Sequence, residues 1–319
     1  MDQMLQHGYG FDPTYGYSLD DLLAVEPPVG PSDFAPFWVA RYRRALGIDP
    51  APRLSPSAVA IPGFAVAEIA YRSTEGFTIR GWLLQPIRGQ ALRAFILGHG
   101  YGGISEPPRD LIDEQAIYLV PCFRGLGLSA RPPISREPRW HVLHDIDKRD
   151  RYILGGCVED VWTGVSALLA LFPALAGRLG YLGISFGGGI GALALPWDER
   201  IVRGHLNVPT FGHQALRLRL PTSGSAAAVQ DFVRQHRHVL ATLAYYDAAV
   251  AAAFIRQPMH VAAARFDPVV APPGQFAIYN ALLSDKRLFV LDAGHFEYPN
   301  RARQERELMA GLRTFFSTL

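Results

Sequence analysis

Ser185 sits in Gly183-Ile184-Ser185-Phe186-Gly187, a G-x-S-x-G. A serine hydroxyl is a weak nucleophile at neutral pH. It needs a base to take its proton and a third group to orient that base. Downstream stand Asp267, in Arg265-Phe266-Asp267-Pro268, and His295, in Asp292-Ala293-Gly294-His295. Serine, acid, histidine is the chain order in which a strand–turn–helix elbow is completed to a triad. The reading assigns Ser185 as nucleophile, His295 as general base and then acid, and Asp267 as the orienting carboxylate. Taken singly, an Asp before Pro is an ordinary turn residue, and a lone histidine after a strand is usually a surface group. The joint order at consecutive strand ends carries the assignment. Asp292 is the rival acid, ranked lower because it lies so close to His295 in sequence.

The oxyanion that forms on acyl transfer needs preorganised donors, usually two backbone N–H groups. One is expected from the residue after the nucleophile, Phe186. The other is expected from Tyr101, in the glycine-rich loop Gly98-His99-Gly100-Tyr101-Gly102-Gly103. His99 precedes that turn and is read as its support. Trp140, His141 and His144 either line the pocket or belong to a surface loop.

The elements that must position these groups follow from the apolar pattern. Leu179 to Ile184 reads as a buried strand and Ile190 to Leu195 as part of a helix, with the sharp turn between them. Small residues are needed where the chain passes close to itself at such a turn. Strands are expected at Ala94 to Leu97, Ala116 to Cys122, Ile201 to Val208, Met259 to Ala264 and Leu288 to Leu291. Helices are expected at Leu111 to Gln115, Ile153 to Leu171 and Gln304 to Phe316. Residues 65–87 alternate about Glu75-Gly76, as an antiparallel hairpin does. This order predicts one α/β domain over residues 1–319 with a mostly parallel, doubly wound sheet. Ligands bind outside the carboxyl ends of such strands. Residues 1–50 form an extended arm and then a helix, Phe34 to Leu46, whose aromatics share one face. Residues 209–257, opening with Pro209-Thr210-Phe211, interrupt the alternation and are expected to cap the site; Phe211 is a candidate pocket residue.

Hydrophobic residues make up 49% of the 319, enough for a sizeable core, and the net charge is +2. The basic residues are scattered, without a basic stripe carrying interleaved aromatics, so nucleic acid is not an expected partner. No apolar run is expected to span a membrane, and the first ten residues lack a signal-peptide pattern. Cys122 and Cys157 suggest neither a disulfide framework nor a metal knuckle. The expectation is a cytoplasmic protein with no metal or organic cofactor, acting on a small-molecule ester.

These residues resemble the acetyl xylan esterase and cephalosporin C deacetylase group of α/β-hydrolases, carbohydrate esterase family 7. The resemblance covers nearly the whole chain. It rests on Asp33-Phe34-Ala35-Pro36-Phe37-Trp38, His99-Gly100-Tyr101, Arg124-Gly125, the serine motif, Tyr245-Tyr246-Asp247, Asp267-Pro268 with Pro272-Pro273, Tyr279-Asn280-Ala281-Leu282, and His295. It implies an α/β-hydrolase fold, an acetyl esterase acting on carbohydrate or similar small alcohols, and a homo-oligomer, commonly a hexamer. Three positions depart from the family pattern. Its R-G-Q reads Arg124-Gly125-Leu126, the usual Gln after the nucleophile is Phe186, and its H-E reads His295-Phe296-Glu297. Arg124, Leu126 and Phe296 are therefore read as pocket or supporting residues. With Phe186 and Leu126 replacing two amides, less polar esters are the expected preference. The rival readings are a peptidase or lipase on the same fold and a binding protein with a dead site.

Overall fold

The structure is a computed structural model and describes residues 5–319; residues 1–4 of the expected arm lie outside the described residues. The strands are β1 (Arg53–Pro56), β2 (Phe64–Arg72), β3 (Thr78–Pro86), β4 (Arg93–Gly98), β5 (Ala116–Pro121), β6 (Leu179–Ile184), β7 (Ile201–Asn207), β8 (Met259–Ala264) and β9 (Lys286–Leu291). The first helices are α1 (Leu19–Leu23), α2 (Phe34–Leu46), α3 (Pro138–His141), α4 (Ile153–Leu171) and α5 (Phe186–Ala194). They are followed by α6 (Gln214–Arg217), α7 (Ala226–Gln235), α8 (Val239–Leu243), α9 (Ala248–Ala252), α10 (Pro272–Ala281) and α11 (Arg301–Phe316).

The strands form one sheet in the order β1-β2-β3-β5-β4-β6-β7-β8-β9. β1, β2, β3 and β5 pair antiparallel, and every pair from β5 and β4 onward to β9 is parallel. This is the expected α/β-hydrolase arrangement with its antiparallel N-terminal hairpin. β4 lies between β5 and β6, so the chain leaves it once in each direction. Such a switch point opens a crevice at the carboxyl ends of the strands. Gly98 pairs with Gly183, so the loops after β4 and β6 emerge side by side. Ala264 pairs with Leu291, so the loops carrying Asp267 and His295 leave the same rim.

Central strands of a parallel sheet are covered on both faces and read as unbroken apolar runs; all six residues of β5 are buried. One face is covered by α2, α4, α5, α9 and α10, through Trp38, Trp162, Ile190, Val250 and Phe276 among others. The other face is closed by α11, whose Leu308, Leu312, Phe315 and Phe316 meet Phe95 and Tyr118. α4 is 19 residues long and, by length and composition alone, apolar enough to cross a bilayer, contrary to the sequence expectation. Its apolar window is 83% buried inside this fold, where it serves as the central core helix.

Several local expectations are corrected. Leu111 to Gln115 forms turns rather than a helix. Five residues are too few to sustain an isolated helix, and tertiary contacts hold this segment otherwise. Tyr118 Oη accepts from the Asp113 amide and donates to its carbonyl, both at 2.8 Å, and Arg93 pairs with the Asp113 carboxylate. α1 lies inside the segment read as an extended arm; Ser18 and Asp21 cap it reciprocally. The 209–257 insertion divides in two. Its first part reaches over the strand ends, whereas all five residues of α9 are buried in the core.

Candidate active site

Ser185 is the N-cap of α5 and has φ 52° and ψ −107°. That left-handed backbone is costly for a residue with a Cβ, and it is held by close packing on both sides. A Cβ on Gly187 would meet the Gly98 carbonyl carbon and oxygen at 2.2 Å, and one on Gly183 would meet the Gly187 oxygen at 2.5 Å. Gly187 N–H donates to the His99 carbonyl (2.9 Å), and the Ser185 amide donates to the Asn207 carbonyl (2.8 Å). The glycines of the motif are thus required by steric proximity to the β4 loop, as the sequence reading anticipated.

His295 Nε2 lies 2.9 Å from Ser185 Oγ, and His295 Nδ1 lies 2.8 Å from Asp267 Oδ2. Asp267 is fully buried. A buried carboxylate needs donors for its remaining lone pairs. The amides of Val269 and Val270 donate to Oδ1, each at 2.9 Å, and Gln275 Nε2 donates to Oδ2, also at 2.9 Å. With the carboxylate accepting at Nδ1, the imidazole carries its proton there and presents Nε2 as acceptor to the serine hydroxyl. The three residues assigned from sequence are therefore brought together. Asp292 is not part of this chain: its amide donates to Gln304 and its carboxylate accepts from Asn300.

Behind Ser185, two buried histidines fix the loop after β4. His99 Nε2 accepts from the Phe123 amide (3.1 Å), so its proton is on Nδ1, which donates to the Gly100 carbonyl (2.7 Å). His141 Nε2 donates to the Arg124 carbonyl, leaving Nδ1 to accept from Tyr101 Oη, each at 2.9 Å. Burial lowers the pKa of each histidine to about 4, so both are neutral in the folded protein. The ring of Tyr101 stacks on that of Phe186. Phe186 is the first residue of α5, and the first N–H groups of a helix have no intrahelical partner.

The four residues expected to line or support the pocket, Arg124, Leu126, Phe211 and Phe296, do not line the cleft beside Ser185. Leu126 and Phe186 are fully buried, and neither lines the cleft beside Ser185. Arg124 is buried in an ion cluster: its guanidinium donates to Asp160 Oδ1 (2.7 Å), Thr74 Oγ1 (3.0 Å) and Ser73 Oγ (3.2 Å). Phe211 borders a small adjoining pocket. Phe296 packs on Phe266, with ring centroids 5.0 Å apart, and Tyr9 of the arm lies against it. The arm reaches further: the Asp267 amide donates to the Pro13 carbonyl (3.0 Å), and Tyr15 Oη donates to the Pro221 carbonyl (2.7 Å). Of the three loop residues Trp140, His141 and His144, Trp140 is exposed, His144 is half-buried and only His141 touches the site's framework.

The cleft over Ser185 and His295 holds about 1210 Å³, open solvent included. Its lining is mixed: the polar groups are Glu137, Arg139, Thr210, Arg217, Ser223 and Ser225, and Tyr101, Pro138, Ile184, Val269 and Val270 form an apolar wall. Among the described residues, no group of three or more His, Cys, Asp or Glu side chains is placed to hold a metal ion. Sequence reasoning missed Gln275, Arg217 and the arm residues Pro13 and Tyr15. For Gln275 a signal was present, because Pro272-Pro273 marks a helix start.

The fold matches solved α/β-hydrolases. An acetyl xylan esterase from a Thermoanaerobacterium species superposes with a TM-score of 0.78 at 20% identity, over 95% of this chain and 99% of that one. An acetyl xylan esterase from a Paenibacillus species gives 0.76 at 19% identity, over 92% and 99%. An acylaminoacyl peptidase from Pyrococcus horikoshii gives 0.62 at 14% identity, over 80% of this chain and 41% of that one. The sequence family described as acetyl xylan esterase (AXE1) matches residues 18–310, nearly the whole length. The chain belongs to the acetyl xylan esterase family.

Proposed function

We propose that this protein is a serine esterase that removes acetyl groups from carbohydrates or similar small alcohols. The observation that carries this reading is the continuous hydrogen-bonded path from Ser185 Oγ through His295 to Asp267, opening into one cleft. Ser185 Oγ attacks the acetyl carbonyl carbon while His295 Nε2 takes its proton. The resulting oxyanion is held by the backbone N–H groups of Phe186 and Tyr101. The tetrahedral species collapses, the C–O bond to the alcohol breaks, and His295 returns the proton to the leaving oxygen. Water then gives its proton to His295 and attacks the acyl-enzyme, releasing acetate and restoring Ser185.

The cleft offers polar groups, Thr210, Arg217 and Ser223, to the hydroxyls of an alcohol beside an apolar wall of Ile184, Val269 and Val270. The apolar substitutions that suggested less polar esters, Phe186 and Leu126, are spent inside the protein rather than on substrate. The test is Ser185→Ala. Turnover of acetylated xylose should fall by about 10⁴-fold or more, and labelling by a fluorophosphonate should cease, with the melting temperature little changed. Retained turnover refutes the assignment.

A further inference from the structure

Arg217 is the half-buried cation of the cleft; the Asp247 carboxylate acts on it electrostatically but does not pair with it. It lines the cleft with Ser185 and His295 and also borders a narrow adjoining pocket of about 370 Å³, open solvent included. Its Nη2 is buried without a hydrogen-bond partner, and Nη1 makes only a long contact, 3.4 Å, to Gln214 Oε1. Among the described residues, no carboxylate forms an ion pair with it. Its guanidinium carbon lies 5.2 Å from the centroid of the Phe211 ring, which holds the side chain in place. A half-buried guanidinium with an unpartnered nitrogen is costly, and an anion supplied by a ligand would relieve that cost.

A second feature faces the same space. The segment leading into α7, Ser223 to Ala226, lines the cleft; its N-cap Ser225 makes no side-chain capping bond, and the Ala227 amide donates to the Gly224 carbonyl. α7 is ten residues long, and a helix N-terminus presents free N–H groups and partial positive charge. Gln230 of α7 donates to the Arg217 carbonyl (2.8 Å), which ties the backbone at Arg217 to α7. Glu137 and Arg139 are both exposed, at the rim, and the Arg139 guanidinium lies over Trp140.

We infer that Arg217 and the N-terminus of α7 form a subsite for a carboxylate on the alcohol portion of the ester. This rests on the esterase reading above. The alcohol side follows from size, because an acetyl group fills only a small part of this cleft. A carboxylate follows from charge. One guanidinium balances one negative charge, whereas a phosphate monoester carries between one and two. The planar fork of arginine also matches a carboxylate.

The experiment compares acetylated glucuronic acid with acetylated glucuronamide, its uncharged isostere, and with the corresponding acetylated sugar phosphate. The wild-type protein should favour the acid over the amide by roughly ten- to a hundredfold in kcat/KM, the size of a charge-assisted hydrogen bond. In Arg217→Gln that ratio should collapse towards one, and in Arg217→Lys it should be partly kept. Reading a ratio within each variant cancels losses common to both substrates. No preference in the wild type, a ratio unmoved by Arg217→Gln, or a preference for the phosphate overturns the inference. If the wild type hydrolyses none of the three and Ser185 resists fluorophosphonate, it is the esterase reading that fails. Labelling and amide hydrolysis without acid preference sinks the subsite alone.

Discussion

The ring of Tyr101 lies on the ring of Phe186, with centroids 4.0 Å apart and planes 22° from parallel. These residues leave neighbouring strands, and their backbone N–H groups are the proposed oxyanion donors. Phe186 also meets Phe123 edge-on at 5.4 Å and His141 at 6.1 Å. Phe186 is thus a packed clamp between the two donor loops.

Phe186→Leu keeps an apolar side chain but removes the stack. Donor misplacement of even 1 Å is expensive in rate, so kcat should fall about tenfold or more while KM moves less. Steady-state kinetics on acetylated xylose checks this; an unchanged kcat means that the stack does not position the donors.

Gln275 bridges three groups. It donates to Asp267 Oδ2 and to the Val270 carbonyl (2.6 Å), and its Oε1 accepts from the Ala264 amide (2.8 Å). Gln275→Leu leaves buried polar atoms unpaired, at a cost of about 1–3 kcal/mol. It should also lower kcat, since the carboxylate loses one of its anchors. Urea unfolding with parallel kinetics measures both; Gln275→Glu should be worse than Leu, because it sets a second carboxylate beside Asp267.

Acid should destabilise the fold through His99 and His141. Burial holds each near a pKa of about 4, against 6.5 for the unfolded chain. Between those values the unfolded chain binds more protons. The stabilisation is therefore complete above pH 6.5 and is lost as pH falls towards 4, at about 1.4 kcal/mol per pH unit for each histidine. Unfolding free energies at pH 7, 6 and 5 test this. His141→Gln should flatten the profile, and a slope of the opposite sign contradicts the argument.

Asp160 is buried and holds Arg124 by side chain and backbone: its Oδ2 accepts from the Arg124 amide (3.0 Å) and its Oδ1 from the guanidinium (2.7 Å). Removing one partner of a buried pair strands the other charge. Asp160→Asn should cost about 3–5 kcal/mol in chemical denaturation, and an unchanged midpoint would show that Glu159 and Glu75 suffice for Arg124.

Much of this was readable in the chain. β6 and β8 begin and end where the apolar runs do, and Asp267 and His295 follow strands that the pattern marks clearly. Tertiary supports were harder to see. β1 is exposed at all four residues and carries no alternation. Gln275 looks like any helix residue until α10 is placed beside Asp267. Leu126 reads as a pocket or supporting residue and Phe186 as an apolar influence on ester preference because they flank the motifs, yet a side chain next to a functional residue in sequence points away from it as readily as towards it. Arg217 carries no local signal, since only the folded cap reveals that it has no carboxylate to pair with.

The bond from the Asp267 amide to the Pro13 carbonyl joins the beginning of the described chain to the loop that carries the acid. Tyr15 and Asp267, whose oxygen atoms approach to 3.5 Å, are 252 positions apart. Trimming the chain to beyond Tyr15 would therefore slacken the acid's loop from outside while sparing the Val269, Val270 and Gln275 bonds to its carboxylate.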